Sequence, residues 1–377
     1  MKILIVTSPI DIHGAAVAWG LRKLGVTPVR WFASDFPRLN QSSFAIEPGG
    51  RTNVDFVIDG QRHEAPFGAI WMRRTGWVAP RASSHPHDIK VITSEANDYR
   101  HNVFSFLADT DCFWLNRLRP GRRGENKIFQ LTSAQAVGFR MPNTLISNDP
   151  ERVRAFYRDN GGRIIYKAFS TAGWVHENGN FSVLQTTALR EEDLADDEVL
   201  RACPGIYQER IDKAYELRVT VIGDKVVTGW VDSQSRGETL DWRYDFMEGH
   251  KTIAPFDLPL DIRDRCIALC RRMELEFACI DLIVTPDGEH VFLELNQAGQ
   301  FLWKEEADPR MRMLDIFCQH LASQGKAPYS PRADIGMAQF IESKDFAQFR
   351  ERQDNGFSND PDLLVSELPR KTELTSQ

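Results

Sequence analysis

Residues 277–298 read FACIDLIVTPDGEHVFLELNQA, and no other stretch limits the fold so tightly. Two runs rich in apolar and β-branched residues flank Asp287-Gly288, a dipeptide suited to turning one strand back along another. Runs this apolar belong inside a sheet. Yet Asp281, Glu294 and Asn296 interrupt them. Glu294 and Asn296 are two apart and so share a face, and the tight turn carries Asp281 across from them. Three oxygen donors then converge, while Ile280, Leu282, Val291, Leu293 and Leu295 read as core. The plain alternative is a solvated polar face, and the core-like neighbours favour a cleft. Hard oxygen donors with room for water and phosphate suit Mg2+.

The rest of the chain divides around that hairpin. Ile3 to Val6 form a strand, then Val17, Leu21 and Leu24 mark a helix that Gly25 ends. Val54 to Ile58 and Ala69 to Met72 read as further strands, so residues 1–115 are expected to form an α/β domain. A polar, Arg-rich loop, RLRPGRRGENK, follows. Residues 116–205 form a central unit. Ile128, Leu131 and Ala134 mark one of its helices, and Asp149-Pro150 opens another as N-cap and first helical residue. The strand RIIYK comes next, then a hairpin turning at Asn178-Gly179. Residues 206–325 supply a second hairpin at Gly223-Asp224, a helix near 261–274 and the hairpin of the opening paragraph. This half is expected to be α+β, with antiparallel sheets flanked by helices. Residues 326–377 are polar and carry Pro331, Pro361 and Pro369. They read as a loosely ordered extension in which Met337, Phe340, Ile341 and Phe349 form one short amphipathic helix.

Composition removes several classes of function. With 23 Phe and 9 Trp among 377 residues, most of the chain can bury a core, which excludes general disorder. A formal net charge of −7 argues against a general binder of nucleic acid or of membrane surfaces. No apolar run approaches a membrane span, and the MKILIVTSP start is a strand too short for a signal-peptide core. Six scattered cysteines without a CxxC pair indicate neither a disulfide framework nor a zinc module. These features together point to the cytoplasm.

Other candidates are weak taken singly. Lys167 ends a strand beside the small-residue loop 170–173, where it could hold phosphates, although most such lysines are surface charges. Lys127, near the start of a helix, is likewise ordinary alone. Glu216 and Arg218 share a strand face, where an acid can take a ribose hydroxyl and an arginine a phosphate or carboxylate; a salt-bridged face is the plain alternative. Cys266 and Cys270 continue the helical stripe of Ile262, Leu269 and Met273, so they read as core. His85 and His87 read as a surface loop. Arg117, Arg119, Arg122 and Arg123 read as a solvated loop, with attraction of an acidic peptide second.

In this order, the pieces resemble an ATP-grasp ligase, and most closely the graspetide synthetases, the microviridin-type ligases that cross-link ribosomal peptides. The resemblance runs from residue 1 to about 323. It rests on WMRR (71–74), NKIFQLTSAQAVGFRMPNTLIS (126–147), IIYK (164–167), LQTTALREEDL (184–194), IYQERIDKAYELRVTVIG (206–223), VDSQ with DWR (231–243) and IDLIVTPDGEHVFLELNQAGQFLW (280–303). It implies a preATP-grasp domain, a central domain and a C-terminal ATP-grasp domain, with ATP gripped between the last two. Lys127 and Lys167 would contact the phosphates, the backbone at Glu209, Arg210 and Ile211 would read adenine, and Glu216 would hold the ribose. Arg218 and Arg243 would face the γ-phosphate and an acyl-phosphate intermediate, and Asp281, Glu294 and Asn296 would bind two Mg2+. Arg73 and Arg74 of WMRR are assigned to the peptide. So is the acidic stretch Glu191, Glu192 and Asp193, which would pair with a leader arginine; its plain alternative is a capped helix on a solvated face.

The implied activity is activation of Asp or Glu side chains of a precursor peptide as acyl phosphates. Attack by Ser or Thr would give ω-esters, and attack by Lys ω-amides. The rival readings are another ATP-grasp ligase, such as a protein glutamate ligase or an amino-acid ligase, and a nucleotide-binding regulatory module without turnover. The expected partner is a ribosomal precursor peptide with its leader, with no nucleic acid and no membrane. Oligomeric state is not legible, and a homodimer is one candidate assembly.

Overall fold

The computed structural model describes residues 1–37, 39–74, 76, 78, 83–169, 173–175, 181–234, 240 and 253–354. The N-terminal half is built on a parallel sheet. Its strands run in the order Thr27–Phe32, Lys2–Thr7, Ala69–Met72, Phe113–Leu115. Alternation along the second of these strands explains its position. Ile3 and Ile5 enter one core and Leu4 and Val6 another, so both faces are covered. Helix Ile12–Lys23 packs on one face, capped by Asp11, whose carboxylate accepts from the Gly14 N–H at 3.2 Å. The long helix Pro86–Ala108 buries Val103, Phe104 and Leu107 in the other core, with a separate antiparallel sheet of Gln41–Ile46, Thr52–Ile58 and Gln61–Glu64.

The central unit has an antiparallel sheet ordered Thr187–Ala188, Ile164–Lys167, Gly205–Glu209, Thr144–Ser147. Helix Pro150–Asp159 starts as expected, with Asp149 accepting from the N–H groups of Glu151 and Arg152. The Asn178-Gly179 turn lies outside the described residues; the strands Gly173–Val175 and Phe181–Val183 that bracket it pair antiparallel.

The C-terminal sheet has five antiparallel strands, ordered Ile253–Pro255, Lys225–Val231, Tyr215–Ile222, Phe277–Val284, His290–Asn296. One face packs on helix Leu260–Arg272 through Leu217, Val219, Ile280 and Leu282. The opposite face, near Ile222 and Phe277, joins the core that holds Ile3, Ile5 and helix Ile12–Lys23. The whole is α/β followed by α+β, and among the described residues no helix is long and apolar enough to cross a membrane.

Two expectations are corrected. The Arg-rich segment is not a loop: Leu118–Gly124 is a helix, with Gly121 and Gly124 buried. Residues 328–354 are not a loose tail with one helix. Two helices, Met337–Ile341 and Lys344–Asp354, bury Met337, Phe340 and Phe349 in the core shared with helix Ile12–Lys23, while Ile341 stays exposed. The Asp315 carboxylate, fully buried, accepts from Tyr329 Oη and the Arg332 N–H, each at 2.8 Å, and so ties the extension down. Residues 355–377 lie outside the described residues.

Candidate active site

Three adjacent strands assemble a row of alternating charges. In the register, Arg218 lies opposite Asp281, and Asp281 opposite Glu294. Arg218 Nη1 donates to Asp281 Oδ1 at 2.5 Å, and Lys127 Nζ donates to Glu294 Oε2 at 2.8 Å. Lys127 is the first residue of helix Lys127–Ala136, which Asn126 caps by accepting from the Phe129 N–H. Gln130, one turn on, fixes that helix to the hairpin by accepting from the Leu295 N–H at 3.1 Å.

A register shift between Asp281 and Leu282 makes this face possible. Asp281 opposes Glu294, but Leu282 opposes Phe292, so Leu293 is the extra residue of a bulge. Without it Phe292, two residues from Glu294, would face the site. With it, Phe292 and Val291 are fully buried and Leu293 only partly. Asn296 is opposite Cys279, two residues along from Glu294, and its Oδ1 accepts from the Ala298 N–H at 3.0 Å. The donor set is therefore two carboxylates and an amide oxygen on one face. Its carboxylates already hold cationic side chains, the charge environment that a hard divalent cation fits.

Burial would strip the Arg218 proton, but the Asp281 carboxylate outweighs burial and raises that pKa above the usual guanidinium range. The Arg218 guanidinium is enclosed on a second side by the loop after Asn296: a Cβ added at Gly299 would lie 3.1 Å from Nη2. Glu216, two residues before Arg218, is buried and takes Lys213 Nζ at 2.5 Å. Lys213 was not expected; its place three residues from Glu216 is the only signal the sequence offers.

The remaining candidates fall as follows. Lys167 ends its strand on the central sheet, half-buried. Glu209 and Arg210 donate their N–H groups to the carbonyls of Asn143 and Arg163, so Ile211 carries the one N–H of the three without a backbone acceptor among the described residues. Arg243 lies outside the described residues. Arg73 is not on an open peptide surface. It is 2% exposed, 3.3 Å from Asp11, and its Nη1 donates to the Ala298 carbonyl. It thus ties the N-terminal sheet to the loop that covers Arg218, whereas Arg74 is exposed. In the acidic stretch, Asp193 accepts from the Arg190 N–H at 2.8 Å, which holds its carboxyl below the usual range, and Glu192 meets Arg190 at 2.6 Å. Glu191 is exposed and has no ion pair among the described residues. Asp193 caps the turn Glu191–Leu194, and Asp196, three residues on, caps the helix Asp197–Ala202, so capping accounts for part of this acidic region.

No protein-family model matches the chain, and no curated protein does. Solved structures do. A RiPP-associated ATP-grasp ligase of Chryseobacterium gregarium, solved with ADP and a leader and core peptide, is 27% identical. It covers 87% of this chain and 98% of its own, with a TM-score of 0.78. The fold is that of the ATP-grasp ligases. The macrocyclase MdnC of Microcystis aeruginosa, bound to its precursor peptide MdnA, is also 27% identical, covers 86% of this chain and all of its own, and has a TM-score of 0.75. The macrocyclase MdnB of the same organism is 26% identical, with coverages of 85% and 98% and a TM-score of 0.70. Within the ATP-grasp fold, the charged row sits on the five-stranded sheet, facing away from helix Leu260–Arg272.

Proposed function

We propose that the chain is an ATP- and Mg2+-dependent, ADP-forming ligase that cross-links a ribosomal precursor peptide. The observation that carries this reading is the row Lys127–Glu294–Asp281–Arg218 in a chain whose architecture is similar to that of a RiPP-associated ATP-grasp ligase and of two macrocyclases. Asp281, Glu294 and Asn296 would hold the metal, which supplies charge neutralisation at the phosphates. We propose the four-unit division 1–115, 116–205, 206–325 and 326–377, with ATP between the second and third units. On this reading we assign Lys127, Lys167, Arg218 and Arg243 to the phosphates, Glu216 to the ribose, and the backbone at 209–211 to the base.

A carboxylate acylates poorly because it would have to expel oxide. Transfer of the γ-phosphoryl group of ATP to an Asp or Glu side chain gives an acyl phosphate and ADP. A Ser or Thr hydroxyl, or a Lys amine, then attacks the acyl carbon, losing its proton as phosphate leaves with the bonding pair. An ω-ester or ω-amide results. No covalent enzyme nucleophile is required. The work of the protein is placement and stabilisation of developing charge, and a preorganised guanidinium such as that of Arg218 does this without reorganising. We place the leader along the paired strands Gly173–Val175 and Phe181–Val183, with Glu191 and Glu192 meeting its basic residue and Arg74 meeting the peptide nearer the site.

The test is ADP release by purified protein with and without the precursor peptide. Peptide-dependent release that Glu294→Gln removes supports the reading. Release that free glutamate stimulates and peptide does not would favour an amino-acid-adding ligase, and no release with any acceptor would favour a binding module.

A further inference from the structure

Lys304 is the second residue of helix Trp303–Ala307 and is fully buried. Its Nζ donates to the Arg218 carbonyl at 3.1 Å and to Thr220 Oγ1 at 2.7 Å, and among the described residues it makes no hydrogen bond or ion pair to a carboxylate. An ammonium buried against two neutral oxygens is costly to desolvate, and a methionine would fill a similar volume without that cost. The sheet makes room for it. Gly229 lies opposite Arg218, and a Cβ there would meet Ile253 Cδ1 at 2.6 Å and Lys304 Cδ at 3.2 Å, so its absence admits both side chains. The helix is anchored on its other side by Glu305, which accepts from the N–H groups of Leu314 at 2.7 Å and Met337 at 2.9 Å. Lys304 is therefore fixed between the C-terminal helices and the strand position that carries the guanidinium of the charged row.

We propose that Lys304 is a positioning residue for Arg218: it grips the strand at residues 218 and 220 and so sets where the guanidinium stands against Asp281 and, on the ligase reading, against the transferred phosphoryl. Arg218 is then held on three sides, by Asp281, by the close approach of Gly299 and by Lys304 through its own backbone. Burial is the largest influence on the ammonium; Cys279 and Asp281 raise it, Arg218 lowers it, and the balance brings it down to about 7.

The test uses full-length protein labelled with 15N-arginine, in which loss of a signal in Arg218→Lys identifies the Arg218 Nε–H. Lys304→Met should shift or broaden that signal. It should lower kcat for peptide-dependent ADP release by about tenfold or more while leaving the KM for ATP within about twofold, and it should change kcat by less than about twofold in the Arg218→Lys background. Lys304→Gln, which keeps a donor, should recover part of kcat, and it replaces the Met variant if that one does not fold. An unchanged Arg218 signal, or an equal fall in both backgrounds, overturns the proposal. A wild-type protein that releases no ADP with peptide would instead defeat the ligase reading, and the Arg218 signal alone would then decide the role of Lys304.

Discussion

Asp281 and Glu294 face the same site, but the fold depends on them unequally. The Arg218–Asp281 pair is buried, with side chains 11% exposed on each partner, while Lys127 and Glu294 are 23% and 33% exposed. Removing one member of a buried pair strands the other, at about 3–5 kcal/mol, whereas a partly exposed pair contributes about 1 kcal/mol or less. Glu294→Ala should therefore abolish turnover with little loss of stability, and Asp281→Ala should abolish turnover and also lower the urea midpoint clearly. Equal midpoints for the two would contradict the assignment of the buried pair. Near Arg73 and Asp11, His13 is 4% exposed. Burial, and then Arg73, push its pKa down from 6.5 to about 3. Burial tends to raise Asp11, but Arg73, with the hydrogen bond from the Thr7 hydroxyl at 2.6 Å, outweighs it, so that carboxyl is lowered. Both groups bind protons more readily once the chain unfolds. Their stabilisation is present above the unfolded pKa and is lost as pH falls, for His13 between about 6.5 and 3 at up to about 1.4 kcal/mol per pH unit. Unfolding in urea at pH 7 and pH 5 should show this loss, and His13→Gln should flatten the slope. A variant with the wild-type slope would remove His13 from the account.

At the scale of elements, the C-terminal extension makes the sharpest prediction. Phe340 is fully buried, its ring 5.8 Å from that of Trp19. Phe340→Ala should cost about 3–5 kcal/mol, as for a core aromatic. A change within about 0.5 kcal/mol would mean that the extension behaves as a surface tail. The acidic stretch makes another. Asp193 and Asp196 are committed to backbone capping, which leaves Glu191, and Glu192 in exchange for its pairing with Arg190, to meet a partner. Reversing the charge of both should raise the KM for full-length precursor several-fold and leave the KM for ATP unchanged. Processing at the wild-type level would make this surface a capped helix only. Elements with strong local chemistry were legible in the sequence: the hairpins at Gly223-Asp224 and Asp287-Gly288, and the Asp149-Pro150 helix start. Elements whose reason lies far along the chain were not. The extension's few apolar residues look sparse until helix Ile12–Lys23 covers them, and two glycines and a proline disguise the Leu118–Gly124 helix. Strict alternation placed Leu293 in the core, because a bulge leaves no mark in a period of two. The resemblance assigns Arg73 to the peptide, and nothing local says that it is buried and reaches the Ala298 carbonyl.

For the whole molecule, the proposed chemistry requires that the N-terminal sheet, the central sheet and the five-stranded sheet act on one substrate. Arg73 joins the first to the loop over Arg218, and Lys127 joins the helix following Asn126 to Glu294. A leader held away from the charged row would raise the effective concentration of several core carboxylates at a single site, so that successive rings could form without release. The most direct measurement is the intact mass of a co-incubated precursor peptide alongside the ADP produced. The account predicts the loss of one water from the peptide for each ADP formed, with fragmentation placing each link between an Asp or Glu side chain and a Ser, Thr or Lys. ADP formed while the peptide mass stays constant, or rises by an added amino acid, would contradict it.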